Sequence, residues 1–170
     1  MALRIIITGG TFDKQYDAIR GQLTFKDSHL PEIIEQVRST LGVELEINQL
    51  VDSLDMQDDN RQRVLAACRR APENYIVITH GTDTMSETAA VLGRAFASGD
   101  AALTGKHIVL TGAMVPYSVS GSDALFNLGG AFLAAQLTAP GVYIVMNGRC
   151  RPWDRVRKDR ELGVFEDTAD

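Results

Sequence analysis

A chain of 170 residues, 45% of them hydrophobic, is long enough for one domain with a sizeable core, and no linker divides it. Its formal charge of −5 argues against a dedicated surface for nucleic acid or acidic lipid and leaves small molecules and further copies of the chain as the expected partners. No run approaches the ~18 apolar residues of a membrane span, and the first strand opens by residue 3 without a signal-peptide pattern, so the expected location is the cytoplasm.

The first apolar run, Leu3 to Ile7, closes on Thr8-Gly9-Gly10-Thr11. Residues 12–26 are polar and glycine-bearing and read as a mobile loop or hairpin over the strand end. The turn has neither GxGxxG nor a Gly-Lys-Ser/Thr ending, which argues against a phosphate cradle. Pro31 opens a helix with Ile33, Ile34 and Val37 inward, ending near Gly42. Val43 to Leu50 alternates like a half-buried strand and runs into a rim segment, Val51 to Met56. Asp58 or Asp59 is the expected cap of a helix through Arg70, with Val64, Leu65, Ala67 and Cys68 inward and Pro72 as its stop.

A second β-branched run, Ile76 to Ile78, closes on Thr79-His80-Gly81-Thr82 and passes through Asp83 into a helix with Thr88, Leu92, Ala95 and Phe96 on one stripe. A third, Ile108 to Leu110, closes on Thr111-Gly112-Ala113-Met114. The helix that follows, built on Leu125, Phe126, Leu128, Ala131, Phe132 and Ala135, is apolar nearly all round, so it is either deeply buried or half of a subunit contact. Gly141 to Met146 is the last expected strand. The arginine-rich stretch beyond Asn147-Gly148, with Trp153 in it, reads as a solvated mixed-charge tail. Cys68 and Cys150 have no metal or disulfide spacing, and His80 reads as a packed histidine rather than a base.

Short, wholly apolar runs are strands buried on both faces, which predicts an α/β fold: three layers, a mainly parallel sheet and helices on both faces. Parallel strands bring their carboxyl ends to one edge, where ligands of open α/β sheets bind. The Thr/Gly turns are therefore expected to meet there, with the threonine hydroxyls at the rim.

Thr8-Gly9-Gly10-Thr11, His80-Gly81-Thr82-Asp83-Thr84-Met85 and Thr111-Gly112-Ala113-Met114 with Ser122-Asp123 together closely resemble signatures of the bacterial-type L-asparaginases. The resemblance covers nearly the whole chain but only that family's amino-terminal domain. It implies a Rossmann/flavodoxin-like asparaginase domain over residues 1–170, a short-chain member without the second, carboxy-terminal domain. It further implies hydrolysis of L-asparagine to L-aspartate and ammonia through an acyl-enzyme, with no metal or cofactor, in a homo-oligomer (dimer or tetramer).

Carried over residue by residue, Thr11 matches the nucleophile and Tyr16 the tyrosine that activates it. Thr82, Asp83 and Lys158 match a second catalytic set. Ser53 matches the serine that holds the substrate carboxylate, and Ala113 the residue whose carbonyl faces the side-chain amide. Gly10 and Gly81 let the backbone approach the substrate, and the N–H groups of Thr11 and Thr82 are the expected oxyanion donors. Leu54 departs from the pattern, because many relatives have glutamine there. The neighbouring subunit's second domain also lends an acidic residue in the family, and a short-chain member of the kind the resemblance implies is expected to lack that contribution.

The chemistry asks for these types. A hydroxyl is a poor nucleophile at neutral pH and an amide carbon a poor electrophile, so a proton acceptor and an oxyanion site must be supplied. An acid at Asp83 for the α-ammonium and a hydroxyl at Ser53 for the α-carboxylate select an α-amino acid. Two other readings use the same fold: an amino-acid-binding module with little turnover, and an amidohydrolase for another amide, such as L-glutamine or the substrate of an amidotransferase's ammonia-producing component.

Overall fold

A computed structural model of the chain describes residues 2–168. In chain order the elements are β1 (Ala2–Gly9), β2 (Gln15–Asp17), β3 (Gln22–Thr24), α1 (Leu30–Gln36), β4 (Gly42–Val51), α2 (Asp58–Arg70) and β5 (Tyr75–Thr79). They are followed by α3 (Met85–Ala97), β6 (His107–Thr111), α4 (Ala124–Leu137), β7 (Gly141–Met146), β8 (Arg149–Pro152), β9 (Val156–Asp159) and β10 (Val164–Asp167). The main sheet has the order β4-β1-β5-β6-β7-β8, parallel from β4 to β7, with β8 antiparallel at the edge.

The apolar runs alternate between two cores, as a two-fold side-chain period requires. Ile6, Ile76, Ile78, Ile108 and Leu110 face α2 and α3, while Leu3, Ile5, Ile7, Val77 and Val109 face α1 and α4. The three-layer α/β arrangement read from the sequence is the one observed. Residues 12–26 carry a hairpin, with Tyr16 opposite Leu23.

Four local expectations are corrected. Helix α1 stops at Gln36, and Arg38 takes the left-handed conformation (φ 53°), so Val37 lies outside the core. Gln57, not Asp58 or Asp59, caps α2, in a reciprocal capping box with Asn60; the two acids fall in the first turn, where they favour the helix dipole. For helix α4 it is the deeply buried alternative that fails: Leu128, Ala131 and Ala135 are buried, whereas Phe126, Leu133 and Leu137 face outward.

The fourth correction is the arginine-rich stretch, which is structured rather than a solvated tail. Arg151 is buried, donating to Asp167 Oδ1 at 2.7 Å, and Val156 and Phe165 join the core beneath α3. Trp153 lies flat on Gly93 of α3, so closely that a Cβ there would stand 2.1 Å from the indole. A mixed-charge composition hid the few anchors that decide where this segment goes.

Candidate active site

Strand β1 lies between β4 and β5, so the chain leaves β1 for one side of the sheet and then crosses to the other. That reversal opens a crevice at the carboxyl ends of β1 and β5. Four segments close on it. A Cβ on Gly10 would stand 2.3 Å from Gly81 Cα, one on Gly81 2.5 Å from Ser53 Oγ, and one on Gly112 3.5 Å from Thr82 Cγ2. Only glycine permits the first of these contacts, and Gly10 also has φ +75°. The turns after β1, β4, β5 and β6 thus meet at one place.

The threonines divide into two groups. Thr8 Oγ1 donates to Thr79 O (2.8 Å) and Thr111 Oγ1 to Val145 O (2.9 Å), both fully buried, so these hydroxyls bind strands together rather than line the rim. Thr11 opens a single 3-10 turn and remains partly accessible. Asp13 anchors that turn from below, accepting from Ser28 Oγ (2.9 Å) and His29 N (3.0 Å); burial pushes its carboxyl above the usual range. Among the described residues neither the Thr11 nor the Thr82 N–H has a protein acceptor.

Lys158, on β9, is the third component. Its Nζ donates to Thr82 Oγ1 at 2.8 Å and to Asp83 Oδ1 at 2.7 Å, and the lysine side chain is 10% exposed. Asp83 Oδ2 has no partner among the described residues, so the carboxylate keeps one face for a cation. Arg160 Nη2 donates to Asp83 O at 3.3 Å, a contact that sequence reasoning did not single out.

Ser53 is buried and its backbone is pinned, because Thr84 Oγ1 donates to Ser53 O at 2.7 Å. Ala113 is buried in a turn held by Asn127, which donates to Gly112 O at 3.0 Å, and by Asp123, which accepts from the N–H groups of Met114 and Val115. Ser122 and Asp123 therefore shape the loop. Leu54 is 63% exposed at the rim.

Tyr16 stands apart. It is 65% exposed on the β2–β3 hairpin, its hydroxyl lies beside Gly21, and no hydrogen bond among the described residues joins it to Thr11. Lys14, at the base of the hairpin, pairs with Asp52 on the neighbouring turn. Burial works against the Asp52 carboxylate, yet the Lys14 ammonium and the Leu54 N–H hold it below the usual range.

His80 is fully buried beneath the crevice. Nδ1 faces Gly81 O and Nε2 faces Thr88 Oγ1, each at 2.7 Å. A carbonyl can only accept, so Nδ1 carries the proton and Nε2 accepts from the Thr88 hydroxyl. Burial brings its pKa down to about 4, so it is a packed neutral ring, as the sequence reading has it. Burial likewise pushes the Cys68 thiol up to about 12. Among the described residues no group of three His, Cys, Asp or Glu side chains could hold a metal ion.

Fold and crevice together define a doubly wound α/β protein whose switch point gathers the partly accessible Thr11, the buried Thr82 and an aspartate–lysine pair. The chain belongs to the asparaginase family: residues 2–164 match the model of the asparaginase N-terminal domain. It is 30% identical over 171 residues to the L-asparaginase of Thermococcus kodakarensis, covering 96% of this chain and 49% of that protein. The solved structure of that thermostable enzyme matches with a TM-score of 0.79 at 27% identity, over 98% of this chain and 51% of the other.

A Campylobacter jejuni structure, described as a probable cytoplasmic L-asparaginase, matches with a TM-score of 0.76 at 26% identity, over 98% and 51% of the two chains. A component of the glutamyl-tRNA(Gln) amidotransferase of Aeropyrum pernix is 32% identical over 151 residues, covering 85% of this chain and 34% of that protein. The chain thus spans about half the length of the L-asparaginases it matches.

Proposed function

We propose that this chain carries the threonine machinery of an amidohydrolase and hydrolyses L-asparagine to L-aspartate and ammonia. One observation carries the reading: Lys158, far along the chain, donates to both Thr82 and Asp83 at the crevice that Gly10 and Ser53 also border. The family relationship supports it, since the L-asparaginase of Thermococcus kodakarensis aligns over 96% of this chain.

In this mechanism the substrate's α-carboxylate meets the Ser53 hydroxyl and its α-ammonium meets the free oxygen of Asp83. Thr11 Oγ1 attacks the side-chain amide carbon, while the N–H groups of Thr11 and Thr82 hold the oxyanion. One such donor is worth roughly 3 to 4 kcal/mol of barrier. The hydroxyl proton passes through Tyr16 to the amide nitrogen, the C–N bond breaks, and ammonia leaves an aspartyl ester on Thr11. Water held by Thr82, beside the Lys158 ammonium, then cleaves the ester and returns the proton to Thr11. The Tyr16 step requires the hairpin to close on bound substrate, because its phenol is exposed in the free protein.

The decisive experiment is an ammonia-release assay. The unaltered protein is expected to turn over asparagine, and Thr11→Ala and Thr82→Ala each to lose that activity. Full activity in both variants would sink the proposal. A second reading is favoured by the amidotransferase relative: ammonia production from L-glutamine, which the same assay measures beside asparagine. A third, a binding module with little turnover, is favoured by the open hairpin, and calorimetry showing aspartate binding without turnover selects it. The protein is proposed to act in the cytoplasm, and as a homo-oligomer through the exposed side of α4.

A further inference from the structure

Arg61 lies on the inward stripe of α2, in line with Val64, Leu65 and Cys68, and is as buried as they are, at 6% exposed. A guanidinium in such a position has to be compensated by hydrogen bonds. Arg61 Nη1 donates to Met56 O at 3.2 Å and Nη2 to Glu87 Oε2 at 2.5 Å, while its Nε is buried without a partner among the described residues. The buried Nε is a desolvation cost that an apolar side chain on this stripe would not carry, and the other two nitrogens tie the helix to what lies on either side of it.

Apart from a 3.9 Å ion pair with the exposed Asp58 at the start of its own helix, its two hydrogen-bond partners belong to the two sides of the crevice. Met56 ends the turn that carries Ser53, where Met56 N–H donates to Ser53 O (3.4 Å) and Asp55 N–H to Asp52 O (2.9 Å). Glu87 is in the first turn of α3, its N–H donating to Thr84 O (3.1 Å), and Thr84 Oγ1 donates back to Ser53 O (2.7 Å). Ser53, Met56, Arg61, Glu87 and Thr84 therefore form a closed ring of hydrogen bonds and backbone. The planar fork of arginine can span two acceptors on different elements; the single ammonium of lysine meets them less well.

We propose that Arg61 is a positioning residue that fixes the Ser53 turn against the start of α3, and so sets the separation between the substrate-carboxylate site at Ser53 and the Thr82–Asp83 pair. The inference rests on the asparaginase reading for its kinetic consequence but not for its structural one. Arg61 touches no substrate. Its removal should weaken the ground state and the transition state alike, which raises KM and spares kcat.

The test uses Arg61→Met, which keeps an apolar stem, and Glu87→Gln, which takes the charge out of one arm of the fork at a solvent-accessible residue and serves if the first variant does not fold. Amide hydrogen exchange is expected to quicken about tenfold at Asp55 and Met56 in Arg61→Met, and about threefold in Glu87→Gln, with the β5 and β6 amides unchanged. Unchanged exchange at Asp55 and Met56 overturns the inference whatever the activity. With asparagine, KM should rise about tenfold in Arg61→Met and about threefold in Glu87→Gln, with kcat within about twofold. In a Ser53→Ala background Arg61→Met should add less than about twofold, because both act on one contact. A full additional effect there, or a loss confined to kcat, also overturns it. If the unaltered protein neither releases ammonia nor binds aspartate, the functional reading fails while the exchange experiment still decides the role of Arg61.

Discussion

Lys158 binds the crevice together through one atom, its Nζ donating at once to the Thr82 hydroxyl and the Asp83 carboxylate. Replacing it with methionine keeps the stem packed and removes both bonds. The expected result is a loss of about 10²- to 10³-fold in kcat for asparagine, measured by ammonia release, with arginine at this position restoring only part of it. His80 makes a different prediction, concerning stability. Its folded pKa of about 4 lies below the ordinary value of 6.5, so between those values the unfolded chain binds a proton that the folded one excludes. The neutral ring's contribution is whole above pH 6.5 and is lost as pH falls to about 4, amounting to about 3 kcal/mol. In urea melts at pH 7 and about pH 4.5, the stability lost on acidification is expected to be about 2 kcal/mol smaller in His80→Gln than in the unaltered protein.

Helix α3 sets both ends of the Thr82–Asp83–Lys158 cluster. Its amino end follows close on Asp83, and its flank at Gly93 receives Trp153, which fixes the approach to β9. Gly93→Ala places a methyl 2.1 Å from the indole, so Trp153 has to move and Lys158 moves with it. Because Trp153 is the only tryptophan, its emission reports the shift. A red shift together with about a tenfold or larger fall in kcat is expected, and unchanged emission with unchanged activity refutes this account of the segment. Strands β1 and β5 meet in the same manner at Gly10, where a methyl would stand 2.3 Å from Gly81 Cα. Gly10→Ala should lower stability by about 1 to 3 kcal/mol, seen in thermal melts, and abolish turnover.

For the molecule as a body, the proposed self-association rests on the outer side of α4. That helix carries no charged residue, and Phe126, Leu133 and Leu137 stand exposed beside a groove of about 500 Å³ lined by Gly130, Val145, Gly148 and Cys150. Ridge and groove side by side on one face suit a two-fold contact, in which each copy fills the other. The one charged side chain lining the groove, Arg149, is paired with Asp167 at 3.1 Å, which limits the repulsion a second copy meets there. Leu133→Glu is expected to weaken self-association about tenfold or more in sedimentation, whereas Ile47→Glu, an equally exposed apolar site on β4, should leave it unchanged.

The parallel strands β1, β4, β5, β6 and β7, the two-sided sheet and the meeting of the Thr/Gly turns were legible in the linear chain, because short β-branched runs closed by glycine have few other uses, whereas β8 to β10 were not. The roles suggested for Thr11, Thr82, Asp83 and Ser53 came from motif likeness, and the turns that carry them do converge on one crevice. Other features depended on partners distant in sequence, which local pattern does not reveal. Thr8 and Thr111 turned out to bind neighbouring strands, since a hydroxyl's direction depends on which carbonyl the adjacent strand brings. The charged stretch after β7 packs against the fold because Trp153 meets a glycine far earlier in the chain, Gly93. Arg61, an arginine on an apolar stripe, acquired meaning only when folding set Met56 and Glu87 on either side of it. Periodicity and turn chemistry are local properties of the backbone, whereas a buried polar group takes its partner from whatever the packed neighbours present.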